Sequence, residues 1–217
     1  MNQTVQVIEV KTSRQKKEFL NFPLELYRDN PNFVPPLWID EKKIFSEKYV
    51  YYDTCEAVYY NAYREGRMVG RISGILQRAS NEKRNEKRIR FTRFDSIDDP
   101  EVAKALFDAV EGWGRAKGMN EICGPLGFSD LEREGLLIEG FDRLSTFEEQ
   151  YNADYYQALI EARGYEKEVD WVESKLMLPP DDDGKLKHAT EQVMQKYNLH
   201  FATEKSIRKF IKKYAEE

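Results

Sequence analysis

A strand, a helix and a second strand follow one another between residues 89 and 127, and no other stretch constrains the fold as strongly. Asp98 or Asp99 can accept the first free N–H groups of the helix, and Pro100 suits its first position. Gly118 can end the helix with a positive φ. The apolar residues recur at three- and four-residue spacing, which predicts one buried face of Val102, Leu106, Ala109, Val110 and Trp113. Two strands joined by such a helix form a right-handed βαβ unit and run parallel.

The residues before this unit predict a strand, a helical segment and a hairpin. Residues 5–10 alternate apolar and polar side chains, as a half-buried strand does. An amphipathic helix is expected over 12–28, but Pro23 lies inside it, so two short helices are as well supported as one. A second amphipathic segment follows at 40–47. Residues 56–77 contain two β-rich segments around a Glu-Gly turn and predict a β-hairpin.

The residues after the unit predict a lid, a helix and closing strands. The irregular segment up to residue 150 is rich in Gly but also in Phe and Leu, which favours a packed lid over disorder. A helix is expected to open at Asn152 and to end at Gly164. Residues 165–178 alternate loosely and predict one or two final strands.

The run PPDDDG separates a tail from the rest of the chain. We therefore expect a domain over residues 1–178 and an extension over 179–217. The extension predicts a helix, a short strand at 197–203 and a second helix. Its order of strand, small polar turn and basic amphipathic helix echoes the first residues of the chain, which suggests the start of a repeated half.

Composition excludes several classes of protein. A net charge of −5 argues against nucleic acid as a main partner, and no apolar run approaches the ~18 residues of a membrane helix. The first residues lack the pattern of a signal peptide, so a cytoplasmic protein is expected. Cys55, Cys123, His188 and His200 are isolated from one another, so no metal site is expected.

Several segments resemble a known family in both wording and order. They are FPLELYRDNPNFVPPL, MVGRIS, DDPEVAKALFDAVEGWGRAKGM, ICGPLGFS, GLLIEGFD and YNADYYQALIEARGYEKEVDW. Together they resemble a group of mostly uncharacterised bacterial proteins of the GNAT (Gcn5-related N-acetyltransferase) superfamily. The resemblance implies an α/β (α+β) fold in which helices flank a central mixed, twisted sheet, with a V-shaped gap between two parallel central strands. Members of the group usually carry a second GNAT-like half, which implies that this chain is a shortened form.

The same resemblance implies acetyl-CoA as cofactor, bound in the gap between strands at 89–95 and 121–124. In the family, pantetheine pairs with the backbone of the first strand and the pyrophosphate lies on amides at the start of the next helix. The acceptor is an amine, either of a small molecule or of a protein N-terminus or lysine. The implied cofactor-binding residues are Phe94, Ser96, Ile97, Val102 and Asn152.

Two residues are candidates for catalysis. Asp95, at the end of the first parallel strand, would act as the base for the amine, and Tyr156 as the acid for the leaving thiolate. A helix-capping carboxylate and a core ring are the competing interpretations of these two residues. Ser129 and Tyr155 are candidate substrate contacts, although a loop serine often only supports a turn.

The sequence departs from the family at two positions, and this opens a second hypothesis. The segment SIDDPEV stands where the family has a Gly-containing phosphate loop, so Asp98, Asp99 and Glu101 lie beside the helix amides. Ile160 stands where the family has its catalytic Tyr. The alternative is therefore a catalytically inactive GNAT-fold protein that binds a small ligand or a protein partner. A homodimer is open under either hypothesis.

Overall fold

The computed structural model describes residues 4–146, 149–177 and 184–215. The chain divides into two compact units, Met1–Trp171 and Val172–Glu217. The first contains a sheet and all of the candidate site residues. In the second, the described residues form two helices, α6 (Lys185–Lys196) and α7 (Ile207–Tyr214). That residues 179–217 begin a second GNAT-like half stays a prediction.

The larger unit is built on a five-stranded sheet in the order β1-β2-β3-β4-β5. Neighbours from β1 to β4 are antiparallel, whereas β4 and β5 are parallel, so the predicted mixed sheet is confirmed. Glu65 and Gly66 both have a positive φ, as the tight turn of the predicted hairpin requires. The strands are β1 (Gln6–Glu9), β2 (Cys55–Arg64), β3 (Arg67–Gln77), β4 (Arg88–Ser96) and β5 (Glu121–Cys123).

Five helices of this unit lie between or after the strands. They are α1 (Ser13–Leu26), α2 (Trp38–Glu41), α3 (Arg78–Arg84), α4 (Pro100–Ala116) and α5 (Tyr156–Glu161). Two short 3₁₀ turns, Lys42–Phe45 and Val50–Asp53, follow α2. Helix α3 carries the basic residues Lys83 and Arg84 in its last turn and has no buried residue.

Helix α1 runs unbroken through Pro23, so the structure decides for one helix over two. Proline has no N–H to donate to the carbonyl of Phe19, one turn earlier. Instead Arg71 of β3 donates from Nη1 to Phe19 O at 2.8 Å. The side chain of another element therefore replaces the hydrogen bond that the proline removes.

Helix α4 covers one face of the sheet as predicted. Val102, Leu106 and Val110 are fully buried, and Asp99 caps the helix through its side chain. Gly70 of β3 lets the helix approach, because a Cβ there would lie 2.8 Å from Leu106 Cδ1. The helix thus packs on the sheet while it connects β4 to β5.

Three sequence predictions on secondary structure are wrong. Residues 165–177 contain no strand; they are largely exposed, and β5, with three residues, offers a very short edge for pairing. The segment 197–203 is not a strand either, because the described residues of the second unit form no sheet for it to join. Finally, α5 begins at Tyr156 and not at Asn152, whose side chain bonds the lid.

Candidate functional site

The parallel strands β4 and β5 part soon after they meet. Only Arg88, Ile89 and Arg90 of β4 have partners in β5, and β4 continues to Ser96. After β5 the chain turns at Gly124, and Leu126 N donates to Phe91 O at 2.8 Å before the chain leaves the sheet. The predicted gap therefore lies beside the last residues of β4.

Two tyrosines of the α5 segment reach the end of β4 across this gap. Ser96 N donates to the Tyr156 hydroxyl at 2.9 Å, and the Tyr155 hydroxyl donates to Ser96 O at 2.7 Å. The structure thus brings together Ser96, Tyr155 and Tyr156, which the sequence singled out separately. It also shows that both backbone groups of Ser96, which the resemblance assigns to pantetheine, are bonded within the chain.

A chain of buried polar groups leads from these tyrosines to Asp95. Tyr27 donates to the Tyr156 hydroxyl at 2.8 Å. The Tyr156 hydroxyl in turn donates to Asp95 Oδ1 at 3.4 Å. Arg71 Nε donates to Asp95 Oδ2 at 2.7 Å. The two predicted catalytic residues are therefore neighbours, joined by Tyr27 and Arg71, which sequence reasoning did not identify. The signal for Arg71 was an arginine in the middle of a largely apolar strand.

A bulge in β4 decides which way Asp95 faces. Arg71 pairs with Asp95 but Ser73 pairs with Thr92, so β4 has one extra residue between these pairs. Arg93, within the bulge, has a φ of 50°. The extra residue places Thr92 and Asp95 on the same face of the sheet, opposite to α4.

Burial keeps both tyrosine hydroxyls of the network protonated. Desolvation, reinforced by the charge of Asp95, raises the pKa values of Tyr27 and Tyr156 well above the ordinary tyrosine value. Both hydroxyls therefore hold their protons at neutral pH, and Tyr27 donates to Tyr156 while Tyr156 donates toward Asp95. A protonated tyrosine beside a carboxylate can pass a proton along such a chain.

Asp95 lies in the wall of a small cavity on this face of the sheet. Its volume is about 30 Å³, room for one or two water-sized groups. Helix α1, the segment after it, β3, β4 and the lid all contribute. The lining residues are Pro23, Phe33, Pro36, Glu41, Arg71, Thr92, Arg93, Asp95, Arg133, Gln150 and Tyr151.

Several of the residues that line the cavity form ion pairs. Arg93 donates to both carboxylate oxygens of Glu41 at 3.1 Å and lies 3.7 Å from Glu132. Burial alone would raise the pKa of Glu41, but the Arg93 guanidinium lowers it to about 2. Burial also lowers the pKa of Arg133, and the positive charges of Arg71 and Arg93 add to that effect. The cavity therefore disfavours an extra positive charge and favours a neutral or anionic group.

The remaining predicted site residues have structural partners. Asn152 accepts from Leu137 N at 2.8 Å and donates to Leu137 O at 3.1 Å, so its amide ties α5 to the lid. Ser129 lies 2.7 Å from the Tyr51 hydroxyl and is not brought to Asp95. The ring of Phe94 packs on Tyr156 with centroids 5.1 Å apart.

The start of α4 does not fit the diphosphate of an acyl-CoA. Pro100 has no N–H, and Asp99 Oδ1 accepts from Glu101 N at 2.8 Å and from Val102 N at 3.4 Å. Ile97 N, just before this turn, donates to Val69 O at 3.1 Å. A phosphate would have to displace Asp99 from the same amides.

Metal binding and membrane crossing can both be judged from the described residues. Among them, no group of three or more His, Cys, Asp or Glu side chains could hold a metal ion. None of the helices described here is long and apolar enough to cross a membrane.

Comparison with known proteins gives relatives by sequence, whereas no protein-family model matches the chain. Protein YghO of Escherichia coli (strain K12) is 34% identical over 188 residues, which are 84% of this chain and 47% of that protein. A bacterial ceramide synthase of Caulobacter vibrioides is 33% identical over 172 residues, 78% of this chain and 44% of that protein. The chain thus spans about half the length of the curated relatives it matches.

Solved structures are similar at a lower level. A predicted acetyltransferase from Clostridium acetobutylicum, solved with acetyl-CoA, is 9% identical, with a TM-score of 0.48 over 79% of this chain and 96% of that one. An identity this low carries nothing about substrate. The chain's own topology, an antiparallel sheet followed by a helical crossover to a parallel strand that parts from β4, makes it a protein of the GNAT fold, as its sequence predicts.

Proposed function

We propose that this chain is an N-acyltransferase that joins an activated acyl group to the amine of a small amphiphilic molecule. The observation that carries the proposal is Asp95, a carboxylate in the wall of a cavity the size of an amino group, backed by protonated tyrosines. A base within reach of the amine is what such a reaction requires.

The cavity suits the neutral amine, which is the form that attacks an acyl carbon. Arg71, Arg93 and Arg133 line it together with Asp95 and Glu41, three positive groups against two negative ones, so a bound ammonium loses its proton more readily than beside the carboxylates alone. In our proposal the N–C bond forms, the bond from the acyl carbon to its leaving group breaks, and Asp95 takes the proton of the amine. Tyr156, which donates to Asp95, is the proposed acid for the leaving group.

The apolar residues of the cavity lining suit the apolar part of an acceptor. Phe33, Pro36 and Tyr151 line the cavity, and the Phe33 and Tyr151 rings meet edge to face with centroids 6.1 Å apart. The name of the Caulobacter vibrioides relative supports the same chemistry, because a ceramide is an amide of a long-chain amino alcohol. We therefore propose a long-chain amino alcohol as the first acceptor to test.

The acyl donor is proposed by class only. The fold implies an acyl-CoA thioester, acetyl-CoA included, but the first turn of α4 does not fit its diphosphate. The proposal therefore rests on the acceptor side of the site. A small-molecule amine is preferred over a protein lysine because one relative is named a ceramide synthase.

The test is amide formation by the purified full chain. Sphinganine, an amino sugar and an amino acid are each incubated with acyl-CoA thioesters of two to sixteen carbons, and amides are detected by mass spectrometry. Asp95→Asn is expected to lower kcat at least about 100-fold, as loss of a general base does. Asp98→Asn, a change at an exposed carboxylate three residues away, is the control and is expected to keep its rate. No amide from any pair would contradict the proposal.

A second candidate function is binding of a small ligand without acyl transfer. It is favoured by one observation: the backbone N–H and C=O of Ser96, which pantetheine would use, both bond tyrosine hydroxyls. A ligand that raises the melting temperature while no amide forms with any donor would support this alternative.

A further inference from the structure

The first turn of α4 already uses its backbone donors. Glu101 N and Val102 N donate to the side chain of Asp99, and Ala103 N donates to Asp99 O at 3.1 Å. Pro100 contributes no donor. A diphosphate that bound here would meet carbonyl and carboxylate oxygens instead of free N–H groups.

Asp99 is itself held in place from another strand. Arg64, at the end of β2, donates from Nη1 to Asp99 Oδ2 at 2.5 Å and from Nη2 to Glu101 Oε2 at 3.1 Å. Burial alone would raise the pKa of Asp99, but Arg64 and the helix N–H groups lower it below the ordinary value. The cap is therefore a charged carboxylate at neutral pH. Displacing it would break an ion pair as well as the cap.

The net negative charge around this turn also repels a phosphate group. Asp98, Asp99 and Glu101 give three carboxylates within four consecutive residues, against the single guanidinium of Arg64. The positive end of the helix dipole is thus neutralised by the chain's own side chains. A nucleotide diphosphate gains nothing from this helix.

We propose that the nucleotide of an acyl-CoA makes no productive contact with this turn, so that the enzyme does not select its donor by the nucleotide. This inference rests on the proposed acyltransferase function. The donor class is an acyl thioester of pantetheine, whether coenzyme A or an acyl carrier protein supplies it. Asp99, held by Arg64, is the residue that sets this preference.

The first experiment compares three donors with one acceptor, using the full chain. Hexadecanoyl-CoA and hexadecanoyl-pantetheine are expected to give kcat/KM values within about threefold, because remote binding energy from the nucleotide is not used. A preference for the CoA thioester above about 30-fold would overturn the inference. If hexadecanoyl-acyl carrier protein also donates its acyl group, the carrier protein is the source of the donor. If it does not, while the pantetheine thioester does, coenzyme A is the source.

Matched variants test the role of Asp99. Asp99→Ser keeps a helix-capping oxygen but removes the charge, and is expected to shift the donor ratio several-fold toward the CoA thioester. Asp29→Asn removes an exposed charge outside this turn and leaves the cap intact, so the ratio should stay at the wild-type value. Equal ratios in wild type and Asp99→Ser would contradict the assignment to Asp99.

A binding measurement separates this inference from the proposed function. Adenosine 3′-phosphate 5′-diphosphate, which carries both the 3′-phosphate and the diphosphate of coenzyme A, is titrated into the wild-type chain in a calorimeter. No heat at millimolar nucleotide is expected, and micromolar binding would overturn the inference whether or not the protein turns over. If no donor yields an amide, the acyltransferase proposal fails. The titration still shows whether the protein binds the nucleotide.

Discussion

Arg71 and Asp95 form a buried ion pair at the centre of the larger unit. Arg71 Nε lies 2.7 Å from Asp95 Oδ2, and the two side chains are 6% and 4% exposed. The same guanidinium donates to Phe19 O and lies over the Phe19 ring, 4.8 Å from its centroid. One side chain therefore joins β3, β4 and α1 and supplies the hydrogen bond that Pro23 cannot make.

The first prediction concerns this pair. Arg71→Met is expected to lower the free energy of unfolding by about 3–5 kcal/mol, because it leaves the Asp95 charge uncompensated and the Phe19 carbonyl unpaired. Urea denaturation measures the change. Arg78→Met is the control: Arg78 pairs with Glu56 at the surface, where the side chains are 55% and 37% exposed. Its cost should stay below about 1 kcal/mol, and equal costs would show that the buried pair is not special.

The second prediction separates the two adjacent tyrosines. Tyr156→Phe removes the hydroxyl that joins Ser96 N, Tyr27 and Asp95, so kcat should fall at least about 100-fold with KM nearly unchanged. Tyr155→Phe also removes a hydroxyl that bonds Ser96, but that hydroxyl lies outside the Asp95 network, so less than a tenfold loss is expected. Steady-state kinetics with the best acceptor checks both. Equal losses would mean that the hydroxyls only hold α5 on β4.

The third prediction is a pH dependence of stability that involves Glu41. Arg93 lowers its pKa from 4.5 to about 2 despite burial. A carboxylate with a depressed folded-state pKa adds stability above its unfolded pKa and loses it as the pH falls toward the folded pKa. The difference in unfolding free energy between wild type and Glu41→Gln should therefore shrink by about 3 kcal/mol between pH 6 and pH 2. Chemical denaturation at several pH values measures it, and parallel curves would argue against the pair.

Local signals in the sequence were enough to predict the central βαβ unit. Asp99, Pro100 and Gly118 mark the ends of α4 within a few residues, and the hairpin turn at Glu65–Gly66 needs only its own two residues. That residues 165–177 form no strand could not be predicted in this way. Alternation over 165–178 says which side chains share a face, but not whether a sheet edge is free to pair.

The candidate site was predictable only in part, for a related reason. Asp95 and Tyr156 follow from the order of elements, but Arg71 is 24 residues from Asp95, and Tyr27 is 129 residues from Tyr156. Contacts at such separations leave no periodic pattern. The face on which Asp95 lies depends on the bulge at Arg93, a positive-φ residue that is not glycine and therefore gives no sequence signal.

The last prediction uses two glycines of α4 that the sequence cannot tell apart. A Cβ at Gly112 would meet open space, whereas a Cβ at Gly114 would lie 2.5 Å from Ile89 Cδ1 and 3.2 Å from its Cγ1. Gly112→Ala should therefore raise the unfolding free energy by about 0.5–1 kcal/mol through helix propensity. Gly114→Ala should lower it by about 1–3 kcal/mol, because Ile89 is fully buried and has little room to move.

The cause of the loss at Gly114 can be checked on its partner. Ile89→Val removes Cδ1, the atom nearest to the added methyl group. The double variant Gly114→Ala/Ile89→Val should therefore lose less unfolding free energy than the two single variants lose together. Denaturant unfolding of all three variants gives that coupling. Strictly additive losses of unfolding free energy would show that α4 is not in tight contact with β4 where the parallel strands meet. A gain of stability in Gly114→Ala like that in Gly112→Ala would show the same.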